Sequence, residues 1–184
     1  MGAPKKQRKK YSTASHPWQK EVIEEELILL KEYGLKNKTE IYKMKSILKG
    51  FANQAKNLIT SKTKQAEKEK IALLNKLYNL GLIAKAENVD VILDLNLNNV
   101  MDRRLQTIIY KKAMARSINQ ARQFIVHEHV ALGDKIITRP SYIVPVKEEN
   151  LISFVSTSKF ANPEHPERII LIKKPKKQKK DDKK

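Results

Sequence analysis

Cysteine is absent from the 184 residues. That excludes disulfides, thiolate zinc sites and thiol catalysis, and leaves the cytosol as the default compartment. Glycine is scarce, at five residues, and aromatics make up only 6%. A sandwich or barrel of many short strands needs more of both, so helices are favoured. No apolar run reaches the roughly 18 residues of a membrane span, and no apolar stretch follows the basic N-terminus as a secretory signal requires. Lys6 stands where a myristoylation signal needs Ser or Thr. Internal repeats, Gly-Ser linkers and a glycine-rich phosphate loop are missing as well.

What the chain has is positive charge, +18 in all. Lys5, Lys6, Arg8, Lys9 and Lys10 supply five charges, and the tail from Lys173 supplies six net. Seven charges therefore remain for the middle of the chain. A basic middle between basic arms points to a polyanion met over a broad surface. Hydrophobic residues, at 40%, allow a core of moderate size within one domain or two small ones.

Residues 1–17 read as a basic arm without apolar periodicity. Residues 18–97 read as a helical domain. Ser15 and Pro17 suit the start of its first helix, where Glu21, Glu24, Glu25 and Glu26 favour the dipole. Ile23, Leu27 and Leu30 share a face, and Gly34 ends the helix. A second helix starts near Asn37–Thr39, where Asn37 and Glu40 have capping-box spacing. Its buried stripe is Ile41, Met44, Leu48, Phe51 or Ala52, Ala55 and Leu58. Lys45, Lys49 and Lys56 fall within roughly 40° of each other beside that stripe and form either a solvated face or an RNA-contacting ridge. A third helix follows Ser61–Thr63, with Ile71, Leu74, Leu77 and Tyr78 at helical spacing and Gly81 at its end. Leu82–Ala84 and Val91–Leu93 are loop anchors or short strands.

Residues 98–156 read as a compact RNA-binding module. Its first helix spans about Asn98 to Met114 and buries Leu97, Met101, Leu105 and Ile108. At 100° per residue, Arg103, Thr107 and Tyr110 fall opposite Leu105, flanked by Arg104 and Lys111. Lys112 beside them is a further candidate RNA contact. Forked guanidinium donors suit phosphate oxygens, so Arg103→Ala or Arg104→Ala is expected to weaken RNA binding without unfolding the protein. Ser117 and Gln120 have capping-box spacing at the second helix, which buries Ile118, Ala121, Phe124 and Ile125 and exposes Arg122. Arg116 beside that helix N-terminus makes a phosphate site. Val130 and Leu132 alternate before a Gly133–Asp134 hairpin turn, and Ile136–Ile137 resumes. Arg139, Pro140 and Ser141 form a second turn before Tyr142–Val144. Lys135, Arg139 and Ser141 are candidate RNA contacts at the loop tips. Residues 157–184 form a C-terminal extension with a basic tail. The expected fold class is α+β, mostly α.

Asp102 to Ile125 resembles the signature of small-subunit ribosomal protein four. The resemblance is carried by Arg104-Leu105 after Asp102, Ile109-Tyr110-Lys111, Ala115-x-Ser117 and Ala121-Arg122-x-Phe124-Ile125. It continues through His127-x-His129-Val130 and Gly133 to Pro140-Ser141-Tyr142. The N-terminal PKKQRKKYSTASHPW and EYGLKNKTEIYKMKSIL look like the archaeal and eukaryotic type. The resemblance implies a helical domain with the RNA-binding module inserted. It also implies a structural, non-catalytic protein of the cytoplasmic ribosome. Its partners would be the 5′ region of small-subunit rRNA, met early in assembly, neighbouring small-subunit ribosomal proteins, and the path by which mRNA enters. It adds His127, His129 and Tyr142 to the candidate RNA contacts. Glu128 stands where the family commonly has Gly. If that turn needs positive φ, Glu costs about 1 kcal/mol; otherwise the turn differs or Glu128 points toward a Lys or Arg.

No cofactor or catalytic residue is expected. No metal is expected either, because His127 and His129 lack a third ligand spaced to join them. An RNA-modifying enzyme or an accessory RNA-binding protein using the same module is the alternative, but the chain has no acid in a recognisable catalytic setting. Helix–turn–helix DNA binding competes for the two helices, although a β-like segment follows them at once. A membrane-surface or chaperone-binding basic protein is the third reading. Against it, the apolar stripes are patterned for a core.

Overall fold

The computed structural model describes residue 2 and residues 8–84, 88–162 and 165–166. Lys5, Lys6 and the tail after Lys173 lie outside the described residues. The chain order is α1 (Lys20–Glu32), α2 (Lys38–Thr60), α3 (Lys64–Asn79), a 3-10 turn (Val89–Asp94), α4 (Leu97–Asp102), α5 (Leu105–Lys111), α6 (Ile118–Val126), β1 (Val130–Leu132), β2 (Lys135–Ile136), α7 (Val146–Glu149), β3 (Ile152–Phe154) and a last 3-10 turn (Lys159–Ala161). The fold is α+β and mostly helical, with one small antiparallel sheet ordered β2-β1-β3.

α2 is the spine of the first half: α1, α3, the first 3-10 turn and α4 all pack on it. Its buried residues Ile41, Met44, Phe51, Ala55 and Leu58 follow the sequence stripe, and Leu48 packs at the edge. α1 starts later than its sequence signals. His16 precedes Pro17 and is pushed toward extended backbone, while Trp18 is 89% exposed, so no burial recruits that turn into the helix. Leu27 is exposed and Glu26 is buried instead, correcting the expected face. Glu26 tolerates burial because Lys38 Nζ approaches it at 2.9 Å and the Tyr42 hydroxyl donates to it at 3.5 Å.

Gly34 ends α1 at φ +55°, with Leu35 N–H bonding back to Leu30 O at 3.0 Å. A Cβ there would lie 2.7 Å from Ile118 Cγ2, so glycine also admits α6 to close approach. Asn37 makes no side-chain cap, and Glu40 is committed elsewhere, so the capping box expected there is not formed. On α3, Thr63 accepts from Ala66 N–H at 3.2 Å. The buried residues are Ala66, Leu73 and Leu77, while Ile71 and Tyr78 are exposed. The run Ile71-Ala72-Leu73-Leu74 offers two adjacent stripes, and packing on α2 selects the one through Leu73. Leu82, Ile83 and Ile92 are buried loop anchors rather than strand residues.

Buried side chains fall into two clusters, one from Tyr33 to Met101 and one from Leu105 to Ile152. The second cluster packs α5 and α6 against the sheet. Ala131 pairs with Ile136 and with Ser153, and Gly133 turns the hairpin at φ +57°. Tyr142–Val144 does not join this sheet. It pairs with the junction ahead of α5, where Leu105 N–H bonds Tyr142 O at 2.8 Å and Val144 N–H bonds Arg103 O at 2.9 Å. The third strand is Ile152–Phe154, which the sequence had not marked.

Candidate nucleic-acid interface

The expected helix from Asn98 to Met114 is broken at Arg103–Arg104. Arg104 takes extended backbone and becomes the N-cap of α5. The break rotates α5, so Gln106 and Thr107 become buried along with Leu105, Ile108 and Ile109. A continuous helix would expose Arg104 and Thr107; with the break, both are buried. Thr107 donates its hydroxyl to Met101 O at 2.9 Å and faces no solvent.

Arg104 is 1% exposed. Its Nη2 lies 2.5 Å from Glu40 Oε2, and Arg122 Nη2 lies 2.7 Å from Glu40 Oε1. One carboxylate of α2 thus holds an arginine from the start of α5 and another from α6. Burial works against the Glu40 charge, but the bonds from Arg122 and Arg104 outweigh it and hold the carboxyl below its ordinary range. Arg103 is partly buried over Gly81, donating to Glu149 at 2.8 Å and to Val144 O at 2.8 Å. Arg104 therefore fastens the module to α2, while Arg103 ties the start of α5 to Val144 and Glu149 within the module. Arg104 is thus buried in an ion pair rather than exposed, which argues against the expectation that Arg104→Ala leaves folding untouched.

Gln106 adds a third fastening. Its Nε2 donates to Gly34 O at 3.2 Å and Ile118 O at 3.1 Å, tying the end of α1 to the start of α6. Tyr33 donates to Asp102 at 3.3 Å, and burial first, then the Asp102 charge, pushes its phenol up to about 12. Sequence reading missed Glu40 and Gln106. Glu40 carried a signal, an acid facing a basic module, but its spacing to Asn37 suggested a cap.

The exposed candidates are elsewhere. Lys111 and Lys112 end α5 at the surface, with Lys111 paired to Asp102 at 2.9 Å and Lys112 donating to Glu149 O. Arg116 follows, exposed, with a bond to Pro166 O. Ser117 caps α6 by accepting from Gln120 N–H at 3.2 Å, and Gln120 Oε1 accepts from Arg116 N–H at 2.7 Å. The capping-box spacing is thus used, with the return bond shifted one residue earlier. Tyr110 is 42% exposed. Lys135, Arg139 and Ser141 are exposed around the hairpin and the turn closed by Tyr142 N–H to Arg139 O at 3.1 Å. Tyr142 itself donates to Glu148 at 2.8 Å. On α2, Lys45, Lys49 and Lys56 are exposed, as are Arg8, Lys9 and Lys10 of the arm.

Glu128 follows α6 at φ +62°, where His129 N–H bonds Phe124 O at 3.0 Å. The turn is therefore of the kind that favours glycine. Glu128 is exposed and makes no ion pair among the described residues, so the expected Lys or Arg partner is not found. His129 is half-buried, with Nδ1 3.0 Å from Ser158 Oγ. Burial, then the charge of His127, lowers its pKa from the ordinary value. Among the described residues no group of three or more His, Asp or Glu could hold a metal ion, and no helix is long and apolar enough to cross a membrane.

Residues 103–150 match the family described as S4 domain, a span that covers α5, α6, the hairpin and α7. Small ribosomal subunit protein uS4 of Methanococcus aeolicus is 44% identical over 174 residues, covering 94% of this chain and 98% of that protein. The chain belongs to the uS4 family. The protein of the same name from Methanococcus maripaludis strain C7 is 42% identical, covering 94% of this chain and 97% of its own length. Membership extends over the helical half too, so the Glu40–Arg104–Arg122 seam lies within the region shared with other uS4 members.

Proposed function

We propose that this uS4 family member is a non-catalytic structural component of the small ribosomal subunit. It binds the 5′ region of small-subunit rRNA, supports early assembly, and lies in the cytoplasmic ribosome beside neighbouring small-subunit proteins, near the path by which mRNA enters. The observation that carries the reading is the exposed run Lys111, Lys112 and Arg116 in the turn that leads into the capped N-terminus of α6. Cations beside free backbone N–H groups are suited to phosphate, and +18 over the chain supplies attraction at longer range. RNA recognition of this kind depends on shape and backbone, with lysine and arginine releasing counterions from phosphates.

RNA contacts are assigned to Lys111, Lys112, Arg116, Lys135, Arg139 and Ser141 in the module, and to Lys45, Lys49 and Lys56 on α2. Tyr110 adds a half-open aromatic face. Chemical footprinting of small-subunit RNA with and without the protein tests this. Protection concentrated in the 5′ region is expected, and protection absent or confined elsewhere refutes it.

A further inference from the structure

Glycine in the middle of a helix is unfavourable, because it gives up the most backbone freedom on folding. The chain has five glycines. Gly34, Gly81 and Gly133 hold positive φ in turns, which explains them, and Gly2 belongs to the N-terminal arm. Gly50 is different. It sits at the middle of α2, a 23-residue helix, and is exposed. A Cβ built on it meets nothing within 4 Å among the described residues. Neither a turn nor a packed neighbour among those residues calls for glycine, and alanine would make a better helix.

The surface around Gly50 is basic. Beyond Glu40, which Arg104 and Arg122 hold, α2 has no acid, yet it carries Lys43, Lys45, Lys49 and Lys56, all exposed. None of the four is in an ion pair among the described residues. On α3, by contrast, Glu67 and Glu69 stand among Lys64, Lys68 and Lys70, the mixture of a solvated face. At 100° per residue, Lys43 lies about 20° from Gly50 on one side, and the other three lysines lie about 100–140° round on the other. Gly50 is therefore on the open surface between them. Lys43 to Lys56 spans about 20 Å along the axis, room for several phosphates in a row. Ser12 N–H donates to Ser46 Oγ at 3.0 Å, one turn before Gly50. That bond brings the arm, with its exposed Arg8, Lys9 and Lys10, to the same side of α2.

A nucleic-acid backbone suits such a face. Lysines reach its phosphates from either side. Where the Cβ is missing, a sugar can come down to the helix backbone, and its 2′-hydroxyl can donate to the spare lone pair of a carbonyl. Lysine is depleted at the centres of protein interfaces, so four on one face favour RNA over a neighbouring protein. We propose that this face of α2 seats a ribose–phosphate strand of RNA, with Gly50 at the point of closest approach. This rests on the RNA-binding reading above and makes the α2 lysines the flanks of one track.

Full-length Gly50→Ala and Gly50→Leu change no charge and put good helix formers at an exposed position. Thermal melts and titrations with a transcript of the 5′ region of small-subunit RNA test them. Both variants are expected to melt about 2–4 °C above wild type. Gly50→Ala is expected to bind the transcript about tenfold more weakly, as for a methyl forced into a close-packed contact, and Gly50→Leu more weakly still. Stability and affinity then move in opposite directions, which a purely structural role of Gly50 does not produce. Stabilised variants that bind as tightly as wild type overturn the track and leave the face to a neighbouring protein or to solvent. Variants less stable than wild type overturn it too, because the chain itself would then be packed against Gly50. A wild type that fails to bind the transcript overturns the RNA reading, and the track with it.

Discussion

Glu40 and Arg104 meet at 2.5 Å across the seam between the helical half and the module, with the arginine 1% exposed. Removing one partner of a buried pair costs more than the pair is worth, because the other charge stays behind. Here Arg122 remains to neutralise Glu40. Arg104→Ala is therefore expected to lose about 3 kcal/mol, the lower end of the range for broken buried pairs. Arg104→Met, which refills the volume, is expected to recover much of that loss. Urea unfolding of both variants measures it, and an Arg104→Ala protein as stable as wild type removes the seam from the account.

The same carboxylate sets an acid limit. Its folded pKa is lowered, so its contribution is complete above the unfolded value, about 4.3, and is lost as pH falls through the lowered folded value. His129 is lowered too, by burial and then by His127, and protonation there disfavours the folded state. Its loss begins earlier, as pH falls below the ordinary histidine value of about 6.5. Thermal melts from pH 8 to pH 3 are expected to show two descending steps. Glu40→Gln should lower stability at pH 7 and remove the lower step alone. An unchanged lower step would mean that other carboxylates govern it.

The sequence was legible wherever one feature decided the outcome. Gly34 and Gly81 stop their helices, Ser117 caps α6, and the Ile41–Leu58 stripe is buried on α2. Reading failed where tertiary partners decide. Asp102 to Lys111 has helical spacing throughout, and only the pairing of Arg103–Leu105 with Tyr142–Val144 breaks it. That break turned two arginines from a presumed RNA face into fastenings. Nothing local distinguishes a phosphate-binding arginine from one awaiting a glutamate 64 residues away. Lys111, Lys112 and Arg116, lying past the break, kept their exposed positions.

Glu128 holds φ +62° at the C-terminal turn of α6 without a compensating ion pair among the described residues. Left-handed backbone costs a non-glycine residue about 1 kcal/mol. Glu128→Gly is expected to raise stability by somewhat less than that, since glycine also loosens the unfolded chain. It removes an anion as well, so RNA affinity should rise at low salt. Ala113, at φ +56° in the equivalent turn after α5, serves as a control: Ala113→Gly should stabilise with no change in charge. A Glu128→Gly protein less stable than wild type would mean that its side chain makes a contact worth more than the strain.

Salt dependence separates phosphate-binding cations from fastening ones. With about eight phosphates neutralised, log affinity for small-subunit RNA should fall with log salt at a slope of roughly −6 to −7. Lys45, Lys49, Lys111 and Lys112 are exposed. Changing any one of them to Ala is expected to leave the melting temperature within a few degrees of wild type and to flatten the slope by about 0.7–0.9. Lys111→Ala also frees Asp102 of its 2.9 Å partner, so its affinity loss at low salt should exceed that of Lys49→Ala. Arg104→Ala should do the opposite, lowering stability with the slope of the remaining folded protein unchanged. A slope near zero for wild type would remove phosphate neutralisation as the source of affinity. A flattened slope for Arg104→Ala would return that buried arginine to the interface.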